Sequence, residues 1–538
     1  MIQAQITTFA FMKKHAYTLT LLVVLIIFAS FASYNLGFPT VQWDEMPHLF
    51  GGLMLAHGQT GQYISTYGFY PPLFDLATAG YFQIFGISWA SGRLVSITFS
   101  LLAIATLFLF TRKVYGAKNA LIASVILGSM PGFFYLSRES MLETILVFFF
   151  ILTMFAFYTW ISKNSNKALI FSGLALGIGV LAKYQIVVAA IAMLFSVLFL
   201  CRDRLKIRLG KLLLIFAIML LVAVPWFLMV YQASGVTNFQ SLAYVIQEGS
   251  PARPEYSNRF FAPVFYLIEM TVPYTAAFYP VSLPIMILGL CGLGLFAYRR
   301  KNQDIFFLTW FLVVYVFFTL VPHREWRYVD PLFPILAISA AAFMLFLYGK
   351  IRGWQPKLGF HSDTTRKLAA GLIIVLMAST IVYSSYSAYE MSYEGQYHIY
   401  FDLATAYLAN HLDQNQSAVV VCATNVFDAD MFRFYLPQNM SSSQIWQYPQ
   451  DAVDSYTPNF NITEFVSLCE QHNTKYIIMY DYGAHSQFFN STLDYTQVLT
   501  MIYNTHRFGV PADQPFFGNF TDNKGYRIFL VRFNQTQN

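Results

Sequence analysis

Recurrent apolar runs close to twenty residues long restrict most severely how this chain can fold. A bilayer core about 30 Å thick is crossed by roughly 20 residues of helix. Runs of that kind lie at 17–36, 93–111, 119–136, 142–161, 168–183, 185–200, 212–231, 279–298, 304–321, 331–348 and 368–388. Only 11% of the residues are charged, against roughly 25% in an ordinary soluble domain. The pattern predicts a polytopic α-helical membrane protein with about 11 transmembrane helices. The fifth and sixth runs are short and meet at Lys183. The first has a second reading as a signal peptide, since Lys13-Lys14 precede it and Ser30-Phe31-Ala32 resembles a cleavage site. A retained helix is favoured, because an acidic stretch follows at once.

Charge orients the stack. With the amino terminus inside, alternate short loops collect Lys13, Lys14, Arg112, Lys113, Lys118, Lys163 and Lys167, then the basic clusters at 202–211, 299–301 and 350–367. The outer loops hold far fewer basic residues: Arg93, Arg138, Lys183, Arg253, Arg259, Arg324 and Arg327. This bias is a topology signal. It accounts for the net charge of +6 without any nucleic acid partner. Acids are distributed the opposite way, with Asp44, Glu45, Asp75, Glu139, Glu143, Glu248, Glu255, Glu269, Glu325 and Asp330 outside. Mixed acids and bases on one face suit a site that binds an anion beside a base. A conduction path would need ionisable groups spaced through the bilayer.

From about Glu390 the chain turns polar and mixed. Helix-like Phe401–Leu412, strand-like Ala418–Ala423, a helix-like run near Thr463–His472, and strand-like Lys475–Tyr480 and Tyr526–Phe533 suggest an α/β soluble domain. The domains expected are therefore 1–389, transmembrane, and 390–538, extracytoplasmic. Six Asn-x-Ser/Thr sequons start at Asn415, Asn439, Asn461, Asn490, Asn519 and Asn534, all in the tail. They fit an outer, N-glycosylated domain. Whether Cys422 and Cys469 pair there is left open by the sequence. There is no CxxC or Cys/His metal spacing among the four cysteines.

The stretch Trp43-Asp44-Glu45-Met46-Pro47-His48 places two carboxylates and an imidazole beside the first span. It reads either as a solvated acidic loop end or as a catalytic carboxylate at a membrane surface, where idle charge is costly. Further motifs follow in order: Tyr70-Pro71-Pro72-Leu73, Gly92-Arg93-Leu94 and Ser137-Arg138-Glu139-Ser140-Met141-Leu142-Glu143. A Gly-rich run from Gly173 to Lys183-Tyr184 comes next, then His323-Arg324-Glu325-Trp326-Arg327-Tyr328 with Pro331 and Pro334. In that order and spacing, residues 10–350 resemble the GT-C membrane glycosyltransferases that use polyprenyl-phosphate sugars. The nearest branch holds the protein O-mannosyltransferases and the aminoarabinose transferases of lipid A.

The resemblance implies a GT-C fold and an inverting transfer of a sugar from dolichyl- or undecaprenyl-phosphate to an acceptor hydroxyl on the outer face. Asp44 takes the place of the family's first-loop base, with Glu45, Glu143 and His48 positioning it or the acceptor. The family more often carries aspartate at the Glu143 position, so this carboxylate reaches one methylene further. Such a reaction needs a base for the acceptor proton and cations for the departing phosphate. Lys183, Arg138, Arg324 and Arg327 are the candidate phosphate partners, with Arg suited to bidentate contact.

Each residue also has a plainer reading. Arg93 snorkels from a span edge or lines the site. His323 and Tyr328 bind substrate or are polar loop residues, and Tyr70 shapes its loop or touches substrate. Arg259 belongs to a substrate lid or is a solvated loop charge. Asp75 is read as structural. Lys183, between two apolar runs, is hard to explain without a role. No cofactor is expected and no metal is indicated, although the sequence leaves a divalent ion open. The partners implied are the lipid-linked sugar, an acceptor protein, lipid or glycan, and the bilayer. A polyprenyl-linked sugar flippase and a non-catalytic cell-surface assembly protein remain as alternatives. A flippase predicts polar groups on both faces and internal repeats, and no convincing repeat is found.

Overall fold

A computed structural model describes residues 2–41, 43–237, 259–271, 279–353, 362–393, 398–421, 427–437, 440–448, 461–480, 508–509 and 528–533, with isolated positions 240, 396, 504 and 505. The chain divides into two units: Met1–Leu36 with Gly51–Glu394, and Gly37–Phe50 with Gly395–Asn538. The first is helical and the second carries a small sheet. The sequence alone placed one boundary near 390; the structure adds that Gly37–Phe50 groups with the carboxyl-terminal unit.

The apolar runs fall on helices. Among the described residues, seven segments are long and apolar enough to cross a membrane: His15–Ser33, Trp89–Tyr115, Glu143–Lys163, Arg202–Ser234, Asn302–Leu320, Trp326–Arg352 and Thr364–Tyr393. Ala117–Ser129, Asn166–Ala182, Tyr184–Leu200 and Leu283–Arg299 are shorter apolar helical segments at the other expected positions. The protein is a multi-pass membrane protein. The first outer stretch, expected to be a loop, instead carries helices at Met46–Ala56, Thr60–Tyr67 and Leu73–Phe85. None reaches spanning length, so the test for long apolar runs passes over them. Asp75 is fully buried there and accepts a hydrogen bond from the Tyr63 hydroxyl at 2.9 Å.

Small residues set the closest helix contacts. In a membrane, helices gain little by hiding apolar surface from each other, so close van der Waals approach has to hold them together. A Cβ on Gly292 would lie 2.0 Å from the Ser339 carbonyl oxygen, and one on Gly289 would lie 2.9 Å from Leu336. Ser339 Oγ donates to the Gly289 carbonyl at 2.9 Å, tying Leu283–Arg299 to Phe333–Arg352. Gly173 and Gly177 do the same for Asn166–Ala182, where added Cβ atoms would meet Ile218 and Val222, each at 2.8 Å. The Gly-rich motif is thus a packing face that ends at Lys183. On the expected inner side, fully buried Asp304 accepts from Tyr115 Oη at 2.6 Å and from Arg299 Nη2 and Nε at 3.0 and 3.1 Å.

Among the described residues, the second unit holds a five-stranded sheet. Its strands are β1 Ser417–Val421, β2 Ile445–Tyr448, β3 Thr474–Tyr480, β4 Phe508–Gly509 and β5 Ile528–Phe533, ordered β2-β1-β3-β5-β4. β1 is parallel to β2 and β3, while β5 runs antiparallel to β3 and β4. Helix Ile462–Gln471 buries Phe465 and Cys469 in the core with Val419, Ile477 and Val531. Cys422 lies outside the described residues, as do Asn439, Asn490, Asn519 and Asn534. Asn461 caps its helix, accepting from the Thr463 and Glu464 amides at 3.1 and 3.2 Å. Gly37–Phe50 joins this unit through a Phe38–His398 ring stack at 5.1 Å and an Ile399 amide donating to Thr40 Oγ1 at 2.8 Å.

The glycine contact generates a stability prediction. Gly292→Ala should cost about 1–3 kcal/mol, the usual penalty for overpacking, because the atom it meets is backbone. Gly294→Ala is the control, since nothing lies within 4 Å of its added Cβ. Thermal unfolding in detergent should show a lower midpoint for the first variant alone.

Candidate functional site

The break between two helices builds the centre of the site. Asn166–Ala182 ends at Lys183, which is extended (φ −159°, ψ 127°), and a short 3-10 turn, Tyr184–Ile186, leads into Val187–Leu200. This turn carries the ammonium to Glu143, with Lys183 Nζ 2.8 Å from Glu143 Oε1. Glu143 is the first residue of its helix, where the partial positive charge of the helix end favours a carboxylate. Taking both charges out of water is expensive unless they meet each other, and Glu143 is buried.

A second cation reaches the same carboxylate. Arg327 Nε lies 4.0 Å from Glu143 Oε1 and 2.5 Å from Glu325 Oε2. Glu325 Oε1 lies 3.4 Å from His323 Nε2. The His323 ring meets the Tyr328 ring edge-on at 5.6 Å. Charges therefore alternate from Lys183 through Glu143 and Arg327 to Glu325, and the His323 ring lies beside Glu325. Burial works to raise the Glu325 carboxyl, but the Arg327 charge and hydrogen bonds from His323 and Arg327 hold it down at about 2. It is a carboxylate at any physiological pH.

Asp330 belongs with this group, although sequence reasoning counted it only among the outer acids. It is fully buried, lies within electrostatic reach of Lys183, Glu143 and Arg327, and neither carboxylate oxygen has a hydrogen-bond partner among the described residues. The available signal was an aspartate at the mouth of an apolar run. Before Pro331, however, such an aspartate reads equally as an ordinary helix start.

The other candidate cations are used differently. Arg138 Nη1 donates to the carbonyls of Ala32 and Tyr34 at 2.6 and 2.8 Å and to Tyr393 Oη at 3.0 Å. Its guanidinium lies 4.3 Å from the Tyr393 ring. It satisfies the orphan carbonyls at the end of the first helix. Arg324 does likewise for helix Asn302–Leu320, donating from Nε and Nη2 to the Thr319 carbonyl at 3.2 and 3.1 Å. Arg93 is fully buried, donates to the Leu36 carbonyl at 2.9 Å, and places Nη2 3.9 Å from Glu139. Arg259 is exposed and sits 4.8 Å from the Phe260 ring, while Tyr70 packs on Phe69 at 4.1 Å.

Asp44, Glu45 and His48 lie in the segment that groups with the second unit. A 3-10 turn, Trp43–Glu45, leaves Asp44 exposed, whereas Glu45 and His48 are buried. Among the described residues no group of three or more His, Cys, Asp or Glu side chains is arranged to hold a metal. The Lys183–Arg327 group can bind an anion, and exposed Asp44 can accept a proton.

A family model described as dolichyl-phosphate-mannose-protein mannosyltransferase matches residues 70–228. An uncharacterized protein of Aquifex aeolicus (strain VF5) is 23% identical over 346 residues, which span 62% of this chain and 64% of that relative. The match therefore covers less than two thirds of the relative's length. The crystal structure of ArnT from Cupriavidus metallidurans bound to undecaprenyl phosphate superposes with a TM-score of 0.61 at 15% identity, covering 96% of this chain and 98% of that one. Archaeal oligosaccharyltransferase AglB from Archaeoglobus fulgidus, in complex with an inhibitory peptide and a dolichol-phosphate, gives a TM-score of 0.53 at 14% identity, covering 87% and 70%. The fold is similar to that of these two structures, and residues 70–228 match the mannosyltransferase family model.

Proposed function

We propose that the protein is an inverting glycosyltransferase that takes a sugar from a polyprenyl-phosphate carrier and passes it to a hydroxyl on the outer membrane face. The observation that carries this reading is the pair of cations, Lys183 and Arg327, held at helix ends around Glu143. Cations in such a setting recognise phosphate, and Arg does so with directed geometry. The family match and the lipid phosphates named with the two similar structures support the same ligand class.

In the transfer, the acceptor oxygen bonds to the anomeric carbon as the bond from that carbon to the phosphate oxygen breaks. Its electron pair leaves with the phosphate, whose added charge Lys183 and Arg327 offset. The acceptor proton goes to Asp44. Glu45, His48 and Glu143 serve as positioning groups, and His323 and Tyr328 line the phosphate side. The amino terminus lies inside and the carboxyl-terminal unit outside, as the loop-charge bias indicates.

Three outcomes follow. Tags in the loop at 201–211 should stay protected in intact cells, while protease should reach the tail; labelling of that loop from outside would reverse the topology. Neutralising Lys183 or Arg327 should weaken binding of undecaprenyl phosphate about ten- to a hundredfold, as charge-assisted contacts are worth roughly 1.5–3 kcal/mol. Lys183→Gln alone leaves the buried Glu143 with only the longer 4.0 Å contact to Arg327, so the Lys183→Gln/Glu143→Gln pair should fold better and still bind poorly. Asp44→Asn should lower turnover by about a hundredfold or more and leave lipid-phosphate binding intact. Near-normal turnover would remove Asp44 as the base.

A further inference from the structure

The two cations assigned to the phosphate already hold carboxylates, and those carboxylates differ. Glu143 is buried and fixed as the first residue of a spanning helix. Glu325 precedes the Trp326–Leu332 turn in extended conformation (φ −136°, ψ 145°), and its side chain is 25% exposed. It pairs with Arg327 through Oε2 and with His323 through Oε1. Arg327 Nη1 meets the Met141 sulfur at 3.9 Å, and a thioether is a weak acceptor. A carboxylate on a guanidinium is the nearest protein counterpart of a phosphate on one.

Leaving Arg327 would not strand Glu325. A buried carboxylate that loses its only partner bears the full cost of desolvation, but this one keeps His323 and partial access to water. Glu143 has Arg327 as a second partner only at 4.0 Å, and its side chain is 5% exposed, so it lacks comparable access to water. Of the two pairs, only the one at Arg327 is built to exchange.

We propose that Glu325 is a specificity-determining residue of the anion site: it holds Arg327 until a ligand with its own phosphate takes the guanidinium, and it then keeps His323. This rests on the reading that Lys183 and Arg327 receive the lipid phosphate. Its consequence is discrimination. An uncharged polyprenol has nothing to offer Arg327 in exchange for Glu325, whereas a phosphorylated one does. The returning carboxylate also helps to expel the phosphate left after transfer, so binding is kept weak enough for release.

Purified full-length protein titrated with undecaprenyl phosphate and with undecaprenol tests this. Glu325→Gln should bind the phosphate about tenfold tighter than wild type, with binding of the alcohol unchanged. Glu325→Ala, which also lacks the charge, should shift in the same direction. His323→Phe should weaken phosphate binding in the wild-type background but not beside Glu325→Gln, because the displaced carboxylate is what His323 receives. Equal or weaker phosphate binding by both Glu325 variants would overturn the proposal and leave Glu325 as a brace for Arg327. If Lys183→Gln and Arg327→Gln instead bind the phosphate as wild type does, it is the underlying assignment of the phosphate site that fails.

Discussion

The contact between Lys183 and Glu143 is the constraint around which the helical unit is arranged. An ammonium and a carboxylate withdrawn from water at a membrane surface cost several kcal/mol each unless they meet in good geometry. Meeting requires that the chain stop being helical at Lys183 and start being helical at Glu143. It also requires the helix ahead of Lys183 to be held in one place. The glycine face at Gly173 and Gly177 does that by letting Asn166–Ala182 lie directly against Leu205–Ser234. Backbone proximity, a helix break and an ion pair are thus one device.

The cluster that grows from this contact is rich in acids for the anion site proposed for it. Glu143 and Glu325 balance Lys183 and Arg327, and Asp330 lies behind them without a hydrogen-bond donor among the described residues. Balanced charge keeps the lysine and arginine oriented and, in the proposed function, would limit the affinity for any one phosphate. If the protein transfers sugar from a lipid phosphate as proposed, that moderation favours release of the charged lipid after turnover.

The spans and the sequence order of the motifs were legible because both are one-dimensional properties. Hydrophobic length predicts helices without reference to neighbours, and the structure places helices on the runs predicted from length alone. What each arginine does was not legible. Arg138, Arg324 and Arg327 read alike in the sequence, yet Arg138 Nη1 donates to carbonyls at the end of Ile2–Ser33 and Arg324 to the Thr319 carbonyl of Asn302–Leu320. Which helix end reaches a guanidinium is decided by tertiary packing. The helices at Thr60–Tyr67 and Leu73–Phe85 were missed because they are short, and the first is also mixed in polarity. β2 and β4 were missed because they are edge strands of four and two residues. Asp330 escaped because burial, rather than residue type, sets it apart.

Arg138 also bears on the first hydrophobic segment, which the sequence alone allowed to be a cleavable leader. Its guanidinium takes the carbonyls of Ala32 and Tyr34, buried Arg93 takes that of Leu36, and the Tyr393 hydroxyl reaches Phe31. A cut near Ala32 would remove acceptors from a buried cation and separate the first long helix from the last, which Tyr393 ends. Each stranded donor costs about 1–3 kcal/mol, and more for a charged group. The end of the first helix is thus fastened through Arg138, Arg93 and Tyr393 within the helical unit.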